Sequence, residues 1–160
     1  MPKEIRNPKS ELPNVFADGV GEDSAFWGWG TDSAEVKWRE RSDAERPAHR
    51  DLMERTAEFG EAIIRFCKEV PRSPENNRLI GQLVGAATSV GANYCEADNA
   101  VSGKDFTKSI GICRKESKET MFFLRMMAAS EPALTDDARR LWREAKELNL
   151  IFGAIWRKQR

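Results

Sequence analysis

From Asp51 onward the apolar positions repeat with a helical period, and the repeat is broken only at prolines, glycines and capping residues. Leu52, Phe59, Ile63, Phe66 and Val70 fall at steps of 3, 4 and 7, which predicts a first helix over about residues 51–70, ended by Pro71. Ser73-Pro74-Glu75 supplies an N-cap, a proline at the first helical position and an early acid, so a second helix opens there and runs to about residue 100. Its inward stripe is Leu79, Leu83, Ala86, Val90, Tyr94 and Ala97. After the short break Val101-Ser102-Gly103, a third helix over about 104–130 turns Phe106, Ile110, Cys113, Ser117, Leu124 and Met127 inward, and Pro132 stops it. Thr135-Asp136-Asp137 reads as another capping signature, with acids matched to the helix dipole, for a fourth helix to about residue 157. Its stripe is Leu141, Ala145, Leu148, Phe152 and Ile155. Short connections make successive helices antiparallel neighbours, so the expected fold is all-α: an up-down-up-down four-helix bundle over residues 47–160, with Pro47 as its boundary.

The first 46 residues follow a different pattern. Ser10 to Val36 carries Glu11, Asp18, Glu22, Asp23, Asp32 and Glu35 but no Lys or Arg, and shows no sustained period, so residues 1–46 are expected to be an extension without a core of their own. Within it, Phe26, Trp27 and Trp29 sit between glycines. Large aromatics are costly to leave in water, at roughly 1.5–3 kcal/mol for each side chain that could be buried. They are expected either to fold back on their own chain or to dock on another subunit or another protein.

Two helices carry more than an inward stripe. On the third, Ile112, Phe122, Phe123 and Met126 project away from the core side, and a lone bundle would expose them; a symmetric homo-oligomer would cover them. The alternative cover is the N-terminal extension. On the second, Gly81, Gly85, Thr88 and Ala92 form a face of small residues, which predicts a close helix approach, because glycine costs a helix about 1 kcal/mol relative to alanine. Beside it runs a polar row, Gln82, Ser89, Asn93 and Glu96, suited to hydrogen bonds between helices or subunits, or to a polar lining.

Composition narrows the chemistry. The chain has 160 residues, with 26 basic and 26 acidic groups, so it lacks the overall charge of an autonomous nucleic-acid binder. No run is long and apolar enough to span a bilayer and the N-terminus does not read as a secretory signal, which leads to the expectation of a cytoplasmic protein with no membrane role. Three cysteines, Cys67, Cys95 and Cys113, contain no C-x-x-C pair and are expected to be buried, inert thiols. The single histidine, His49, rules out a paired Glu-x-x-His di-iron motif, and no phosphate-cradling glycine loop is present. Neither a catalytic residue, a metal ligand set nor a cofactor site is expected, so the enzyme class is set aside. Basic residues do gather on the third helix: Lys104, Lys108, Arg114, Lys115, Lys118 and Arg125 occupy one sector, and the chain ends Arg157-Lys158-Gln159-Arg160. Repeated around an oligomer, that stripe could contact phosphates; alone, it is a solvated face.

The stretch from Gly81 to Ala97, which contains Ser89-Val90-Gly91-Ala92-Asn93 and Glu96-Ala97, is followed by Lys104-Asp105-Phe106, by Arg114 to Thr120 and by Leu124-Arg125. These elements resemble the bacterial four-helix-bundle proteins known from intervening sequences of large-subunit (23S) ribosomal RNA genes, over about residues 55–158. The resemblance implies an up-down bundle assembled as a pentameric ring. A group related in fold resembles the accessory subunits of diversity-generating retroelements, which assist a reverse transcriptase and its RNA; this chain departs from that group by its neutral charge. The expected function is a non-enzymatic, homo-oligomeric scaffold or accessory protein. The alternatives are an RNA or reverse-transcriptase accessory subunit acting through the basic stripe, and a protein-docking module acting through the aromatic extension.

Overall fold

The computed structural model describes Trp27 and residues 52–159. Four helices follow one another: α1 (Leu52–Glu69), α2 (Pro74–Asp98), α3 (Gly103–Ser130) and α4 (Thr135–Lys158), the last entered through a 3-10 turn at Pro132–Leu134. The all-α bundle and each helix foreseen from the periodicity are present, with ends within two residues of those expected.

Local chemistry sets most of the boundaries. Ser73 is extended (φ −146°, ψ 166°), and its hydroxyl accepts a hydrogen bond from the amide of Asn76 at 3.1 Å, with Pro74 in the first turn where a missing N–H costs nothing. Ser102 does the same for α3: its oxygen accepts from the Asp105 amide at 3.1 Å, while its O–H donates to the Asp105 carboxylate at 2.6 Å. The expected cap at Thr135 is not made. Thr135 is already helical (φ −57°, ψ −42°), because the 3-10 turn winds straight into α4 and leaves no extended residue to hold an oxygen over the first amides. Asp136 and Asp137 do sit in the first turn, where they pair with Arg139 (3.9 Å) and Arg140 (3.1 Å).

Packing runs around a ring of four. The α2–α3 and α3–α4 interfaces are the broadest, α1–α2 is narrower and α1–α4 is narrowest; across the diagonal, the Tyr94 ring of α2 meets the Phe152 ring of α4 with centroids 5.8 Å apart. The side-chain pairs give the direction. Thr56 near the start of α1 meets Gly91 late in α2, Asn76 near the start of α2 meets Ser130 at the end of α3, and Arg114 of α3 lies beside Gly153 of α4. Each neighbour is antiparallel to the last. The core holds Phe59, Ile63, Leu83, Val90, Ile110, Cys113, Leu124, Met127, Leu141, Leu148 and Phe152 from the expected stripes, whereas Leu52, Leu79, Tyr94, Phe106 and Ile155 at the bundle margins are only half-buried. Trp142, outside the expected stripe, is buried as well.

Several polar side chains inside the bundle are tied by hydrogen bonds. Asn76 is 1% exposed: its amide donates to the carbonyl of Pro71 (2.9 Å) and to the Glu131 carboxylate (2.6 Å), and its oxygen accepts from the Ser130 hydroxyl (2.6 Å). This one side chain joins the α1–α2 connection to the end of α3. Thr56 and Thr120 return their hydroxyls to the carbonyls of Met53 and Glu116. The narrow α1–α4 interface is held by charge. Arg55 donates through Nε to Glu144 at 2.6 Å and through Nη2 to the same carboxylate at 2.9 Å and to Glu147 at 2.6 Å. Its hydrogen bond to Glu144 raises the guanidinium's already high pKa further, despite partial burial.

Two of the three thiols behave as expected and one does not. Cys67 and Cys113 are buried, and burial pushes them up to about 11 and about 12; Cys95 is exposed, with its sulfur 3.1 Å from the Met53 sulfur. Cys95 points outward because it follows the inward Tyr94 and precedes the exposed Glu96 on the outer edge of α2.

Replacing Arg55 by Ala strands a half-buried carboxylate, and should lower stability by about 1–2 kcal/mol, between exposed and buried ion-pair values. Thermal melts of Arg55→Ala, Glu144→Gln and the double variant check this; the double loss should be smaller than the sum of the singles. For the thiols, Ellman's reagent should titrate one group per native chain and three after denaturation. Because the raised thiols stay protonated in the fold while unfolded thiols ionise near 9.0, their contribution is constant below that pH and falls as pH rises toward about 12. Urea melts between pH 8 and 11 should show that fall, reduced in Cys67→Ala/Cys113→Ala.

Candidate functional site

With its inward side taken by α2 and α4, α3 turns a large apolar group to the surface. Phe122 is 44% exposed, and Phe123 and Met126 beside it are half-buried. The two phenyl rings meet edge to face, with centroids 5.3 Å apart and planes at 78°. Ile112, placed with them by the sequence, stands ten residues away, about 15 Å along the helix. It lines a shallow depression at the α2–α3 end together with Glu96, Lys108 and Asp105. The structure therefore gathers Phe122, Phe123 and Met126 into one patch and puts Ile112 in another.

The polar row of α2 divides in the same way. Ser89 and Asn93 are half-buried, and the Asn93 amide donates to the Ser89 carbonyl of its own helix at 2.8 Å. Gln82 and Glu96 are exposed. The expected close approach at Gly81 and Gly85 is not seen among the described residues: none of them lies within 4 Å of where a β-carbon would stand on either. Tight packing falls instead at Gly91, where such a carbon would be 3.4 Å from the Thr56 hydroxyl, and at Gly60, opposite Thr88 at 3.8 Å. Helix α1 therefore reaches α2 through small groups on both sides, one glycine from each helix.

The basic stripe is not uniform. Lys115 approaches Glu116 at 3.7 Å; Lys104, Lys108 and Lys118 are exposed, and Arg125 is half-buried. Arg114 turns toward α4, where its guanidinium carbon lies 5.6 Å above the Trp156 ring. Asn149 fixes this crossing, donating to the Arg114 carbonyl at 2.6 Å and to the Ser117 hydroxyl at 3.1 Å. Arg157 reaches the same place from α4. A β-carbon on Gly153 would be 3.4 Å from Nη1 of Arg157 and 3.7 Å from Nε of Arg114. Trp156 and Asn149 were not among the residues singled out by sequence, and Arg157 was noted only as part of the basic C-terminal end. The available signal was Gly153, a glycine in a helix interior where close approach of another group is the usual reason.

Of the aromatic extension, Trp27 is 6% exposed, while Phe26, Trp29 and His49 lie outside the described residues. Among the described residues no three His, Cys, Asp or Glu side chains are grouped to hold a metal ion. No described helix is long and apolar enough to cross a membrane.

These features can be set beside known proteins. No curated protein matches the sequence. A crystal structure of a protein of unknown function from the S23 ribosomal protein family of Bacteroides thetaiotaomicron superposes with a TM-score of 0.61 at 24% sequence identity, over 66% of this chain and 95% of that one. At that identity the likeness speaks for the fold. The family model of the 23S rRNA-intervening sequence protein matches residues 49–153, which takes in α1, α2, α3 and most of α4. The chain belongs to the 23S rRNA-intervening sequence protein family.

Proposed function

We propose that this chain is a non-enzymatic subunit of a homo-oligomer, a pentameric ring being the favoured form, in which the bundle serves as a scaffold or accessory protein. The observation that carries the reading is the Phe122, Phe123 and Met126 patch, headed by a phenylalanine that is 44% exposed. The helix is well capped and fully packed on its other side, so the patch is not a by-product of loose folding. Two phenyl rings and a thioether on one exposed helix face make a surface that association with another copy would remove from water. Burial of such side chains is worth roughly 1.5–3 kcal/mol each, enough to hold several copies together once repeated at every interface of a closed assembly. Ile112, with Glu96 and Lys108 beside it, adds a half-apolar, half-charged margin at the far end of the same helix.

Light scattering at micromolar concentration should give a mass several times 18.1 kDa. Phe122→Glu/Phe123→Glu should fall to the mass of one chain while keeping its helical circular dichroism, because the Phe122 side chain is already at the surface. A wild-type chain that runs as a monomer would sink the proposal.

A further inference from the structure

We propose that Arg114 and Arg157 form a phosphate-binding pair for a nucleic-acid strand laid along the α3–α4 groove. The two guanidinium groups come from different helices yet both lie within 3.7 Å of a single point above Gly153. Like charges brought together this closely are normally separated by a carboxylate. Here, among the described residues, none stands within ion-pair distance of either.

The sequence explains why. Helix α3 has no acid between Phe106 and Lys115, and α4 has none from Leu148 to Gln159, and these two acid-free stretches face each other. Elsewhere the bundle pairs its arginines readily: Arg55 with Glu144, Arg65 with Glu61, Arg140 with Asp137. The groove is thus a place in the bundle where the even balance of charge is locally broken. Gly153 keeps the floor between the two cations low, since any side chain there would stand against both. Trp156 lies under the Arg114 guanidinium at 5.6 Å and holds it in place without neutralising it. Two planar cations converging on one point, one of them seated on a tryptophan ring, suit the oxygens of a phosphate. Lys115 and Lys118, within one turn of Arg114 on the exposed side of α3, and Lys158 beside Arg157 add positive charge next to the pair, which favours a chain of phosphates over a lone one.

Fluorescence anisotropy of a labelled 12-nucleotide oligouridylate with the full chain, in about 50 mM NaCl, tests this. Binding with a dissociation constant in the micromolar range is expected, and it should weaken about tenfold in Arg114→Gln/Arg157→Gln, with a shallower salt dependence. Arg157→Gln alone, a change at an exposed position, should weaken it about threefold. Arg65→Gln, the same charge change on α1, should stay within about twofold of wild type. Polyglutamate at equal charge should not displace the oligonucleotide, and inorganic phosphate should do so only at millimolar concentration. No binding at about 100 µM, equal losses from Arg65→Gln and the double variant, or displacement by polyglutamate would each overturn the proposal. Displacement by micromolar phosphate would overturn it too, assigning the pair to a free anion.

Discussion

A four-membered ring of helices needs a fourth contact to close, and in this bundle that contact is the Arg55 fork. Helices α2, α3 and α4 join through broad apolar interfaces, while α1 reaches α4 across the narrowest one. There a guanidinium grips Glu144 with two hydrogen bonds and Glu147 with a third. Apolar burial alone would let α1 slide or rotate on α2, since dispersion forces have little direction. The planar geometry of the fork does have direction, so it fixes the height and rotation at which Phe59, Ile63 and Phe66 enter the core. At the opposite end Asn76 does similar work by ordinary hydrogen bonds, tying the α1–α2 connection to the end of α3.

How much of this was legible in the chain follows from the range of each interaction. Helix positions could be read because apolar spacing, prolines and the serines at 73 and 102 act within a few residues of themselves. Thr135 misled because its role depends on the conformation of the turn before it, which the pattern of residue types does not carry. Asn76, Thr56 and Thr120 look like surface residues until their acceptors are known, and for Asn76 the partners Ser130 and Glu131 lie far along the sequence. The same distance hid the convergence of Arg114 and Arg157. The exposed face of α3 could be read as a direction, yet only the packed helix shows that Ile112 parts company with Phe122, Phe123 and Met126. The small-residue face of α2 was legible as a pattern but its meaning was not, since among the described residues Gly91 and Gly60, rather than Gly81 and Gly85, take the close contacts.

The surface of the bundle divides into regions of unlike chemistry. An apolar patch occupies the outer side of α3 toward its C-terminal half. Around Gly153 the α3–α4 groove is lined by Arg114 and Arg157 and by stretches of both helices that contain no acid, and the entrance to α4 alternates Asp136 and Asp137 with Arg139 and Arg140. An even total of 26 basic and 26 acidic residues conceals this segregation. A chain with the same composition but mixed charges would present no comparable field, because opposite charges within a Debye length, about 8–10 Å, cancel one another.

The order of packing around the ring has a kinetic meaning. Every interface except α1–α4 joins helices adjacent in the chain, so most native contacts can form after short loops close. Proteins rich in such local contacts fold in microseconds to milliseconds. In this chain the hairpins α2–α3 and α3–α4 can assemble while α1 is still searching, and closure onto Arg55 is the step that must bring distant segments together. Reversed, the same order makes α1 the first helix to detach, so local opening should begin at the N-terminal edge of the bundle and leave the α3–α4 groove intact.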